Sequence, residues 1–172
     1  EVAVIAPDHN WSSAGHNKTM HRPLRVTEVR LQDGGVGYAT DGSPSDCVAL
    51  GALGFLPKKP DLVVSGINSG PNLGDDVTYS GTVAAAREAI VSGMPAIAVS
   101  LADYFEWDFE YAAEFTADLV QELARRHLSS NTLLNVNIPN VPREKVAGVE
   151  ITRLGTRLYR DALIERQDPF GR

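Results

Sequence analysis

The 172-residue sequence contains one cysteine, Cys47, so no intrachain disulfide can form. A lone thiol points to a reducing compartment, and its expected role is that of a small buried apolar side chain. Runs of Lys and Arg are absent and the net charge is −6, which argues against holding a nucleic-acid polymer by its backbone. A small anion stays open as a ligand, because a local site can be positive inside an acidic protein. No apolar stretch reaches the ~20 residues of a membrane helix. The spacings GxxxxGK[ST], GxSxG, HExxH and GxGxxG are also missing. Their absence argues against a P-loop, a serine-hydrolase elbow, a zinc hydrolase and a nicotinamide fingerprint. The chain opens on Glu1 in the strand-like EVAVIAP, where no signal peptide is expected, and stops in ERQDPFGR without a terminating element. The expectation is a cytoplasmic protein, one α/β domain over residues 1–172, truncated at both ends.

What is present is ordinary for a globular domain: 43% hydrophobic and 22% charged residues. Val2–Ala6 is a short β-branched run stopped by Pro7, and the polar Asp8–Met20 reads as a loop. Leu24–Leu31 and Val36–Thr40 flank the turn signal Asp33-Gly34-Gly35 and predict a hairpin. Pro44 or Ser45 opens a helix to about Leu53, with Asp46 in its first turn. Asp61–Gly66 predicts a buried strand, Thr82–Ser92 a helix ended by Gly93, and Ala96–Ser100 another strand. Tyr104–His127 has helical spacing, with Ala112, Phe115, Leu119 and Leu123 on one face. Leu133–Ile138 and Val149–Arg153 predict two more strands. Strands separated by helices indicate an α/β fold with a mainly parallel sheet, whose ligands bind beyond the carboxyl ends of the strands. The loops Ala6–Asn17 and Ser65–Thr82 would then meet at one rim.

Residues 62–91, LVVSGINSGPNLGDDVTYSGTVAAAREAIV, carry most of the functional signal. Strand, polar Gly-rich loop and helix together build anion sites, because the first N–H groups of the helix have no intrahelical acceptor and the helix dipole favours negative charge there. Ser80, Gly81 and Thr82 stand at that helix start; their plainer reading is an N-cap. Asn68 and Ser12 offer neutral oxygens acceptable to Mg²⁺ or Mn²⁺ but unable to balance its charge. By spacing, Asp75-Asp76 is the obvious acidic pair, with Asp8 a further candidate; the alternative is a solvated turn, with Asn68 bonding its own backbone. His9, His16 and His21 cluster early in the chain and His127 ends a helix. Solvation or dipole compensation is the better reading for these than zinc.

With these residues in view, the chain resembles the survival protein E (SurE) family of metal-dependent phosphatases acting on nucleoside monophosphates. The matching motifs are AP-D-x-N-x-S at Ala6–Ser12, DG-[ST]-P-[ST]-DCV at Asp41–Val48, and PD-x-VVSGIN-x-GPNLGDDV-x-YSGTVAAA-x-E at Pro60–Glu88. PA-[IL]-AVS at Pro95–Ser100, LLNVN-[IV]-P at Leu133–Pro139, TRLG at Thr152–Gly155 and QDP at Gln167–Pro169 extend the likeness over essentially the whole chain. The resemblance implies a Rossmann-like three-layer sandwich. It implies Ser12 and Asn68 as metal ligands and Asn72, Ser80, Gly81 and Thr82 around the substrate phosphate. Asp75 and Asp76 would shape the loop rather than bind metal. The family's acidic ligands are an Asp-Asp pair in an NDDG motif expected upstream of Glu1, so no catalytic residue is assigned within the chain. His9, where the family often has Arg, and Trp11, Ser13, Gly15 and His16 depart from the family text in a way that bears on substrate preference.

The implied activity is a 5′/3′-nucleotidase using Mg²⁺ or Mn²⁺, homodimeric or homotetrameric at full length, with no polymer or membrane partner. The competing readings are a non-catalytic nucleotide- or phosphate-binding module, and a hydrolase of another phosphorylated substrate such as short polyphosphate.

Overall fold

A computed structural model describes residues 1–126 and 128–156, together with Tyr159 and Pro169. His127 and the Gln167-Asp168 part of the QDP match lie outside the described residues. The chain begins with β1 (Ile5–Pro7), β2 (Val26–Arg30) and β3 (Val36–Thr40). The β2–β3 pair is the expected antiparallel hairpin, while β1 runs parallel to β3, giving the order β1-β3-β2. Helix α1 (Pro44–Ala52) follows. Next come β4 (Val63–Ser69), α2 (Gly81–Val91), β5 (Ala96–Ala102), α3 (Glu110–Arg126) and β6 (Leu133–Pro139). Strands β4, β5 and β6 form a second sheet in that order, parallel throughout.

The three layers follow from the side-chain alternation of β5. Ala96 and Ala98 pack with Val83, Ala86 and Ala89 of α2. Ile97, Val99 and Leu101 pack on the other face with Ala112, Phe115, Leu119 and Leu123 of α3. Both faces are covered, so β5 is apolar but for the buried Ser100. The small residues of α2 let that helix approach closely, and Gly93 (φ 71) stands just beyond the Ser92 that ends it.

Three expectations need correction. The strand expected at Asp61–Gly66 starts later and runs to Ser69, and it is not buried: Val64 is 41% exposed, in a strand that is outermost in its sheet among the described residues. The helix expected from Tyr104 begins at Glu110. Before it, the Asp103 carboxylate accepts the N–H groups of Phe105 and Glu106, and Asp108 accepts that of Glu110; these local bonds compete with helix. Val149–Arg153 forms no strand: Ile151 is fully exposed and the segment has no ladder partner among the described residues. Cys47 is buried as expected, and burial, with the neighbouring Asp46 charge, pushes its thiol up to about 12. No helix among the described residues is long and apolar enough to cross a membrane.

Candidate active site

Strand β4 ends in an irregularity that aims its last residues at the cleft. Its register against β5 shifts between Ser65 and Asn68. Gly66, at φ 136, lies so close to β5 that a Cβ would stand 2.4 Å from the Val99 carbonyl oxygen. Beyond this point Asn68 Nδ2 donates to the Gly70 carbonyl at 2.8 Å, which fixes the amide orientation. The other amide atom, Oδ1, accepts the Thr82 hydroxyl at 3.2 Å. The turn reading of Asn68 is thus met by Nδ2, while Oδ1 faces the first turn of α2.

At the start of α2, Ser80 is the N-cap and its Oγ accepts the Val83 N–H at 3.2 Å. That leaves the Ser80 hydroxyl hydrogen and the Gly81 and Thr82 N–H groups without intrahelical acceptors. A Cβ at Gly81 would press on Pro44 Cγ at 3.2 Å and lie at ordinary contact distance, 3.5 Å, from the Trp11 carbonyl oxygen. Asn72 is 5% exposed; its Nδ2 donates to Ser100 Oγ at 2.7 Å. Its backbone is held by two further asparagines. The Asn72 N–H donates to Asn137 Oδ1, and the Asn72 carbonyl accepts from Nδ2 of both Asn135 and Asn137.

A cleft of about 720 Å³ gathers Ser12, Asn68, Asn72, Ser80, Gly81 and Thr82 on its wall. All six residues assigned to metal or phosphate thus share one cavity at the carboxyl end of β4. Ser13, whose φ of 58 is unusual for a side-chain-bearing residue, lines it too, as do His9 and Trp11, whose rings lie 4.9 Å apart. Of the acidic candidates, Asp76 lines the same cleft and accepts the Tyr159 hydroxyl, and Asp75 and Asp76 both sit in a 3-10 turn, Gly74–Thr78. Asp8 is exposed and pairs with His9. Among the described residues, no three His, Cys, Asp or Glu side chains come together as a metal site. The histidine reading also changes: His16 is not simply solvated but pairs with the buried Glu88 at 2.8 Å.

Sequence reasoning missed the residues that hold the wall in place. Asn135 and Asn137 interrupt an apolar strand at alternate positions, a spacing that places two amides on one face. Asp46 lies under the loop Asp8–Met20, the entry loop of the cleft. It accepts the Thr19 N–H and hydroxyl and the Ser43 N–H, and Ser43 returns a cap to the Asp46 N–H. Burial pushes the Asp46 carboxyl upward, but these hydrogen bonds outweigh it and hold the group below its ordinary value.

The description "Survival protein SurE" fits a family model matching residues 1–161. The chain belongs to the SurE family. It is 53% identical to a 5'-nucleotidase SurE of Chloroflexus aggregans, over all of this chain and 69% of the relative. It is 52% identical to a 5'-nucleotidase SurE of Herpetosiphon aurantiacus, over 99% of this chain and 68% of that one. A crystal structure of a SurE protein from Aquifex aeolicus superposes with a TM-score of 0.83 at 42% identity, covering 98% of this chain and 67% of the other. The chain thus spans about two thirds of the length of these SurE proteins, and the α/β sandwich is the SurE fold.

Proposed function

We propose that this chain carries the phosphate-binding part of a metal-dependent phosphomonoesterase that hydrolyses nucleoside 5′- or 3′-monophosphates to nucleoside and phosphate. The observation that carries the reading is the convergence of Asn68 Oδ1, the Ser12 side chain and the open N-terminus of α2 on one cleft. The relatives named 5'-nucleotidase support the reaction class.

The donor chemistry fits a hard divalent cation, Mg²⁺ or Mn²⁺. Ser12 and Asn68 supply neutral oxygens, and carboxylates from outside these 172 residues complete the charge. When bound, such a cation polarises a phosphoryl oxygen and lowers the pKa of a bound water. The chain's own residues orient the ester. The Gly81 and Thr82 N–H groups and the Ser80 hydroxyl donate to the phosphoryl oxygens, and the helix dipole favours their negative charge. Asn72, pinned by Ser100, Asn135 and Asn137, forms a rigid floor beneath them. Catalysis of this kind rests on positioning and preformed electrostatics rather than on a protein nucleophile.

Phosphate release from nucleoside monophosphates by the full-length gene product, with and without Mn²⁺, tests the proposal. Turnover that disappears with chelator and returns with metal supports it. Nucleotide binding without turnover would instead indicate a binding module, and faster release from short polyphosphate would move the substrate class.

A further inference from the structure

Helix α2 carries a second feature beside its N-terminus. Glu88 is 3% exposed and flanked along the helix by the buried Ala84, Ala85, Ala86 and Ala89. A lone carboxylate in such a setting is costly. Its oxygens are instead taken by two side chains from the entry loop, some seventy residues earlier in sequence. Lys18 Nζ donates to Oε1 at 2.7 Å, and His16 Nε2 lies 2.8 Å from Oε2. The same loop presents Ser12 and Ser13 to the cleft. Its other ties are to the turn before α2 and to α1: the Gly15 N–H donates to the Tyr79 carbonyl, the Ser43 hydroxyl to the Asn17 carbonyl, and Thr19 to Asp46. The Glu88 pairs join the loop directly to the body of the helix whose first turn faces the cleft.

Stability alone does not account for Glu88. A buried ion pair is often no more stabilising than apolar residues of the same volume, so a Leu or Met would fill this position at least as well. What the carboxylate adds is direction, because two fixed acceptors set where residues 16 and 18 lie. We propose that Glu88 is a positioning residue that clamps the entry loop through His16 and Lys18 and so holds Ser12 at a fixed place relative to the Ser80–Thr82 helix start. The catalytic part of this inference rests on the function proposed above; the clamp itself does not.

The test uses Trp11, in the same loop, as reporter in a full-length Trp107→Phe background in which any tryptophan outside these 172 residues is also changed to Phe. Glu88→Gln should make Trp11 more accessible to acrylamide quenching. It should also lower kcat/KM on a nucleoside monophosphate by about 10- to 100-fold and raise the Mn²⁺ concentration for half activity. Glu88→Asp should recover part of each. If Glu88→Gln does not fold, Glu88→Leu combined with Lys18→Met removes both charges without leaving either buried alone, and the same readings apply. Parental quenching and parental kcat/KM in a folded variant overturn the proposal. So does a loss of activity that only tracks the fraction unfolded. Absence of turnover in the parent would defeat the proposed function, while the quenching comparison would still decide the clamp.

Discussion

The side-chain oxygen of Asn68 accepts the hydroxyl of Thr82 at 3.2 Å, joining the end of β4 to the first turn of α2. A residue assigned to the metal and one assigned to the phosphate are thus set in register by a single hydrogen bond. Asn68→Ala should lower kcat/KM by about 100-fold or more and raise the Mn²⁺ requirement, with an unchanged circular dichroism spectrum. Thr82→Val should cost about 10-fold. Because the two act as a unit, the double variant should be little worse than Asn68→Ala alone. Additive losses, measured by steady-state kinetics on all three proteins, would show that the bond is incidental.

Gly66 is where β4 comes closest to β5. A Cβ would meet the Val99 carbonyl oxygen at 2.4 Å, and φ 136 is a region side-chain-bearing residues rarely adopt. Strain and overpacking act together, so Gly66→Ala should cost on the order of 3 kcal/mol or more. Urea denaturation reads this directly; a midpoint equal to that of the parent would mean the strand end can shift freely.

Asp46 ties the stability of the site to pH. Its folded pKa lies below the ordinary value of 3.8, since the hydrogen bonds to its carboxylate outweigh burial. A depressed pKa contributes stability that is present above the unfolded value and is lost as pH falls through the folded one. Asp46→Asn should therefore be less stable than the parent at pH 7 by about 1–3 kcal/mol. The gap should narrow as pH drops below 3.8. Melting temperatures across that range check the sign, and a gap that widens in acid would refute it.

Local chemistry explains which features were legible in the sequence. The Pro44 helix start, the hairpin around Asp33-Gly34-Gly35 and the α3 face all rest on contacts within a few residues, and the structure reproduces them. The Ser80–Thr82 helix start was readable because a strand, a Gly-rich loop and a helix are contiguous. Glu88 with His16 and Lys18, and Asn72 with Asn135 and Asn137, were not, because each joins residues more than sixty positions apart. Val149–Arg153 differs for a related reason: alternating Val and Ile make a strand only beside a strand to pair with, and none lies beside this segment among the described residues.

Asp75 and Asp76 separate the two readings of this loop most sharply. Spacing makes them metal ligands, whereas the SurE resemblance makes them supports of the loop. In the structure they occupy a 3-10 turn, Asp76 is engaged by Tyr159, and no group of three acidic, His or Cys ligands forms around them among the described residues. Asn substitution preserves the size of each side chain and removes only its charge. Asp75→Asn and Asp76→Asn should leave the Mn²⁺ concentration for half activity unchanged, while Ser12→Ala should raise it. Isothermal titration of Mn²⁺ into the four full-length proteins measures the same quantity without turnover. A loss of Mn²⁺ affinity in either Asp variant, with Ser12→Ala unaffected, would transfer the metal to the Gly74–Thr78 turn and make these 172 residues the source of their own acidic pair.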